Sequence, residues 1–175
     1  MSTTAQGPER RRVLDIYLND HLAGATAGTE LARRMVREHH DPAYGEELRR
    51  LAAEIAQDRR SLLGILADLG MPVRHYKVYG AWLGEKAARL KPNGRLLRRS
   101  GLAVLVELEA MRLGVQGKAL LWRALLSASA REPRLETERL RELLQRAEQQ
   151  LRTVDELHLR AAAALLSTPP VPASV

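Results

Sequence analysis

The chain of 175 residues contains no cysteine and no phenylalanine. The absence of cysteine excludes disulfide bonds, thiolate zinc sites and thiol nucleophiles, and it is typical of proteins in a reducing compartment. Aromatic residues make up only 3% of the sequence, so leucine, alanine and valine must fill the core. This composition favours helices over sheets.

Long apolar runs are also missing from the sequence. No stretch approaches the roughly 20 apolar residues that span a bilayer. Residues 1–12 lack the apolar core of a signal peptide. We therefore expect a cytoplasmic protein without a transmembrane segment.

The net charge of +7 is concentrated in one segment of the chain. Between Arg74 and Arg99 there are eight basic residues and a single acidic residue, Glu85. The rest of the chain carries 20 basic and 20 acidic residues and is therefore balanced. A localised positive charge of this kind predicts contact with an acidic partner.

Apolar residues recur in alternating steps of three and four between about residue 13 and residue 166, which predicts four amphipathic helices. Residues 1–12 and residues 167–175 are polar or rich in proline and are predicted to be disordered ends. Asp41 and Pro42 are typical of a helix start, and Gly70 is typical of a helix end. The predicted helices span residues 13–39, 42–69, 95–128 and 133–166, with a crossover at residues 70–94.

The connections between these helices differ in length. Those near residues 40 and 130 are short enough for antiparallel hairpins, whereas the crossover is long and contains a predicted short helix at residues 78–90. Two hairpins joined by a long crossover resemble the ferritin-like superfamily, from about residue 13 to residue 166. The resemblance implies an antiparallel four-helix bundle in which the third helix runs parallel to the second.

Ferritin-like metal proteins bind two iron or manganese ions through a Glu from each of two helices and a Glu-x-x-His pair from each of the others. This sequence departs from that pattern, because Ser61 and Leu151 stand where the histidines would follow Asp58 and Glu148. We therefore expect no cofactor and a degenerate metal site. The alternative is an atypical iron or manganese site with the candidate ligands Asp58, Glu107, Glu148 and His158.

The middle of the bundle is predicted to hold polar side chains in place of metal ions. Residues that face each other across a helical hairpin have numbers with a constant sum, about 80 for the first hairpin and about 260 for the second. Since buried charges need partners, we predict a central hydrogen-bonded network at this level. The alternative is that long side chains reach solvent from partly buried positions. The predicted members are His21, Asp58, Arg59, Arg112 and Glu148.

The basic crossover, which we define as residues 74–99, also contains three of the six aromatic residues. Positive charge beside aromatic rings favours phosphate-bearing partners, and an apolar helical face could lie on an anionic membrane. Three interpretations are open: packing on the bundle, binding of an acidic macromolecule or lipid head group, and binding of a small phosphate or carboxylate ligand. The candidate contact residues are Arg74, Lys77, Tyr79, Trp82, Lys86, Arg89, Arg95, Arg98 and Arg99.

The third predicted helix carries a second apolar stripe on its outer side. Such a stripe needs a partner, which is either the crossover or a second copy of the chain. We predict a homodimer with this helix in or near the interface. The stripe consists of Leu102, Val106, Leu113, Leu120 and Ala124.

No catalytic residues are predicted, because the sequence contains no Ser-His-Asp arrangement, phosphate-binding glycine loop or HExxH motif. We expect a non-enzymatic ferritin-like bundle that acts as an interaction, scaffold or regulatory protein. A metal-binding or redox protein with an atypical di-metal site is the second hypothesis. Nucleic-acid or anionic-surface binding through the basic crossover is the third. The composition, rich in arginine, alanine and leucine, resembles that of a high-GC bacterium.

Overall fold

The computed structural model describes residues 6–39, 42–74 and 101–166, and within these ranges it contains four helices and no strand. This confirms the prediction of an all-α, four-helix protein for that part of the chain. None of the helices in these ranges is long and apolar enough to cross a membrane. The helices are α1 (Gln6–Glu38), α2 (Pro42–Asp68), α3 (Gly101–Ser129) and α4 (Thr137–Leu166).

The start of α1 differs from the prediction. The helix begins at Gln6 and not near residue 13, so residues 6–12 are helical. Pro8 lies in the first turn, where its missing N–H breaks no helical hydrogen bond, and Glu9 lies near the positive end of the helix dipole. Arg11 further ties this turn to the bundle, since its Nη2 donates to the carbonyl oxygens of Leu69 and Gly70 at 3.1 and 3.0 Å.

The end of α2 follows the prediction closely, because glycine supplies the backbone conformation that the cap requires. Gly70 adopts a φ of 60°, which is costly for residues that have a Cβ atom. Its N–H donates to the carbonyl of Ala67, and the N–H of Met71 donates to the carbonyl of Leu66, both at 2.9 Å. This hydrogen-bond pair is a Schellman cap, which satisfies two carbonyls at the end of the helix.

The other differences concern the second half of the chain. α4 begins at Thr137 and not near residue 133, because residues 130–136 form a connection with turns. The predicted short helix at residues 78–90 lies outside the described residues. The same holds for the predicted start of the third helix at residue 95 and for the predicted tail at residues 167–175.

Two hydrophobic clusters fill the interior. α1 and α4 each pack against both α2 and α3. One cluster includes Leu66 and Trp122, and the other includes Met35 and Leu108. Helices of this kind are stabilised mainly by burial of one apolar face. Along α2 the two clusters are separated by a buried acidic residue, Asp58.

Candidate functional site

A buried charged group is built around Asp58, whose side chain is 1% exposed. Lys118 Nζ lies 2.5 Å from Asp58 Oδ2, and Arg146 Nε lies 2.7 Å from Oδ1. Gln150 Nε2 donates to Oδ2 at 3.1 Å. Both carboxylate oxygens therefore accept hydrogen bonds from α3 or α4 side chains, as a buried carboxylate requires.

Gln150 links this group to a second carboxylate. Its Oε1 accepts a hydrogen bond from Lys118 Nζ, and its Nε2 also donates to Glu54 Oε2 at 3.0 Å. Burial lowers the pKa of Lys118, while the charge of Asp58 and the hydrogen bond to it act in the opposite direction. Two carboxylates and two cations thus balance in formal charge. We call Glu54, Asp58, Lys118, Arg146 and Gln150 the central cluster.

Asp58 is the single residue that the central cluster shares with the predicted network. Arg112 does not reach it, because its Nε donates to Asp155 Oδ1 at 2.6 Å on a surface where both side chains are nearly half exposed. Glu148 accepts a hydrogen bond from Arg123 at 2.7 Å, also at the surface. The structure therefore places Arg112 and Glu148 in two separate surface ion pairs.

The remaining predicted members, His21 on α1 and Arg59 on α2, also have other contacts. Arg59 Nε donates to Thr26 Oγ1 at 3.0 Å. His21 packs edge-on against Tyr17, with 4.6 Å between the ring centroids. Burial lowers the pKa of His21, and the nearby carboxylate of Asp20 partly opposes this shift. Neither Arg59 nor His21 supplies a donor to the carboxylate of Asp58.

The candidate metal ligands lie at separate places. Glu107 Oε2 is 3.0 Å from His39 Nε2, and His158 Nε2 is 3.3 Å from Glu109 Oε1. Within residues 6–39, 42–74 and 101–166, no group of three or more His, Cys, Asp or Glu side chains could hold a metal ion. The structure does not bring together the four candidates Asp58, Glu107, Glu148 and His158.

A cavity of about 440 Å³ opens between α1, α2 and α3, and Asp58 and Lys118 form part of its wall. Four glycines in the interiors of α1 and α3 also line it. A Cβ atom added to any of these glycines would find open space within 4 Å. They are Gly24, Gly28, Gly114 and Gly117.

The indole of Trp122 also lines the cavity, and this side chain is 1% exposed. Its Nε1 is the one buried side-chain nitrogen or oxygen atom without a hydrogen-bond partner in the part of the chain that the structure describes. The cavity was not predicted from the sequence. The signal that could have indicated it is the presence of four glycines inside helices, where each costs about 1 kcal/mol relative to alanine.

Among the candidate contact residues of the basic crossover, the structure describes Arg74. Its backbone N–H donates to Asn19 Oδ1 at 2.7 Å, and its guanidinium is paired with the carboxylate of Asp15. Asn19 and Asp15 are both buried on α1. The remaining candidates, Lys77, Tyr79, Trp82, Lys86, Arg89, Arg95, Arg98 and Arg99, lie outside the described residues.

The second apolar stripe of α3 contains exposed leucines. Leu102, Leu113 and Leu120 are 48%, 71% and 53% exposed. Single exposed leucines are common on protein surfaces, whereas a row of them along one helix face is typical of an interaction surface. This stripe remains available to a partner in the described part of the structure.

Comparison of the chain with family models, curated proteins and solved structures gave no match. What the protein can do is therefore inferred from three features: the central cluster, the cavity and the exposed stripe of α3. The charges of the central cluster are paired with one another. The cavity has a volume of about 440 Å³, and the stripe exposes apolar side chains.

Proposed function

We propose that the protein is a non-enzymatic ferritin-like bundle of the cytoplasm that acts as an interaction, scaffold or regulatory protein. In this proposal a cation of the chain itself, Lys118, takes the place of the metal ions at the centre. The observation that carries the proposal is the pairing of both oxygens of Asp58 with Lys118, Arg146 and Gln150. This carboxylate already accepts three hydrogen bonds, two of them from cations, so a metal ion would have to compete with Lys118 and Arg146.

The proposed architecture consists of two antiparallel hairpins joined by the crossover. Contacts between the start of α1 and the end of α2, such as that of Arg11 with Leu69, support the first hairpin. A Cβ atom on Gly101, at the start of α3, would lie 3.1 Å from Leu165, near the end of α4, which supports the second. The long connection from residue 75 to residue 100 would then let α3 run parallel to α2.

A metal ion at the centre would displace a charge that is already paired with Asp58. A divalent ion at Asp58 would compete with the ammonium group of Lys118, which has a side chain only 13% exposed. The displaced cation would remain in the interior without its counter-charge. An uncompensated buried charge costs several kcal/mol, so the central cluster disfavours metal binding.

Elemental analysis of the protein purified without chelator tests the metal part of the proposal. We expect iron and manganese far below one ion per chain, and no rise in Tm on addition of Fe²⁺ or Mn²⁺, because a ligand that binds the folded state would raise it. A matched Asp58→Asn variant identifies the source of any bound metal. Two ions per chain in the parent, lost in this variant, would favour the atypical di-metal site and contradict the proposal.

The proposed partner is a second copy of the chain, bound through α3. Light scattering at micromolar concentration should give the mass of a dimer for the parent. Leu120→Glu introduces a charge into the exposed stripe and should give a monomer. Leu159→Glu is the matched control, because Leu159 is 68% exposed on α4 and should leave the dimer intact. A monomeric parent would contradict the dimer.

Binding of an acidic macromolecule through the basic crossover is a second candidate, favoured by the eight basic residues between Arg74 and Arg99. Such binding depends steeply on salt because counterions are released. We expect the protein to elute from heparin at high salt and a Lys86→Gln, Arg89→Gln variant to elute earlier. Elution of the parent at low salt would contradict this candidate.

A further inference from the structure

No further inference is drawn: the strongest candidate, the cavity of about 440 Å³ between α1, α2 and α3, is lined by glycines and by apolar side chains such as the exposed Leu113, and nothing in the structure shows what covers it.

Discussion

The central cluster and the cavity meet at Asp58, yet the two regions are built in opposite ways. In the central cluster, Lys118, Arg146 and Gln150 crowd around one carboxylate and leave it almost no exposure. In the cavity, glycines replace larger side chains and leave open space. The comparison shows that the bundle surrounds its most buried carboxylate with donors, because an unpaired buried charge is costly. The free volume beside it is lined mostly by apolar side chains and glycines.

Asp58→Ala should have the largest effect, because it removes the carboxylate and leaves Lys118 and Arg146 without their shared counter-charge. We expect a loss of about 3–5 kcal/mol in the free energy of unfolding, measured by urea denaturation. The matched control is Asp155→Ala, which breaks the exposed pair with Arg112 and should cost less than about 1 kcal/mol. Equal losses in the two variants would contradict the special role of the central cluster.

Lys118→Met should have the next largest effect. Methionine keeps much of the volume, but Asp58 retains only Arg146 and Gln150, so the expected loss is about 1–3 kcal/mol. Arg123→Met removes a cation from an exposed pair with Glu148 and should change the urea midpoint very little. If Lys118→Met were as stable as the parent, the ammonium group would not be needed to compensate Asp58.

Gly28→Ala changes the wall of the cavity and should stabilise the protein. The new methyl group meets nothing within 4 Å, and alanine is favoured over glycine inside a helix by about 1 kcal/mol. The expected result is a higher urea midpoint, whereas Gly7→Ala in the first turn of α1 should give a smaller gain. A lower midpoint for Gly28→Ala would mean that this face of α1 packs more closely than the structure indicates.

Titration of His21 should have the smallest effect on the free energy of unfolding. It should appear as a dependence of stability on pH. Burial lowers the pKa of His21 below the ordinary value of 6.5, so between the two values the unfolded chain binds more protons than the folded chain. Stability should therefore rise with pH through this range, whereas below the folded-state pKa both states are protonated and the contribution of His21 is constant. Asp20 on α1 opposes the shift, and Asp58, Arg59 and Lys118 line the same cavity.

Tm measured at steps of pH in the parent and in His21→Phe checks this expectation. The variant should lose part of the slope just below pH 6.5, because the titrating group is gone. An unchanged slope would mean that other groups cause the dependence on pH.

The sequence predicted both ends of α2 well and the starts of α1 and α4 less well, for physical reasons. Pro42 and Gly70 impose backbone conformations that define the limits of α2. By contrast, the polar residues 6–12 show no apolar period, and their helix is held by contacts that only the folded bundle supplies, such as that of Arg11. Local residue preferences therefore predict the two ends of α2, which local residues determine. They do not predict the start of α1, which contacts with the rest of the bundle stabilise.

The candidate site was predicted in part. Asp58 was predicted to belong to a central network of buried charges, and it is buried. Arg112 was paired with Glu148 by a sum of residue numbers near 260, whereas the pair that forms, Arg112 with Asp155, has a sum of 267. The connection before α4 is longer than predicted, and seven residues correspond to about two helical turns. On α3 it is Lys118, and not Arg112, that reaches Asp58.

Lys118 makes the positive charge at the centre of the molecule a covalent part of the polypeptide. Such a charge is supplied by translation, so a chelator cannot remove it from the interior. This charge can, however, be removed by chemical modification of the amine. Acylation of this one amine in the unfolded chain, before the interior closes, would remove the charge on which Asp58 depends.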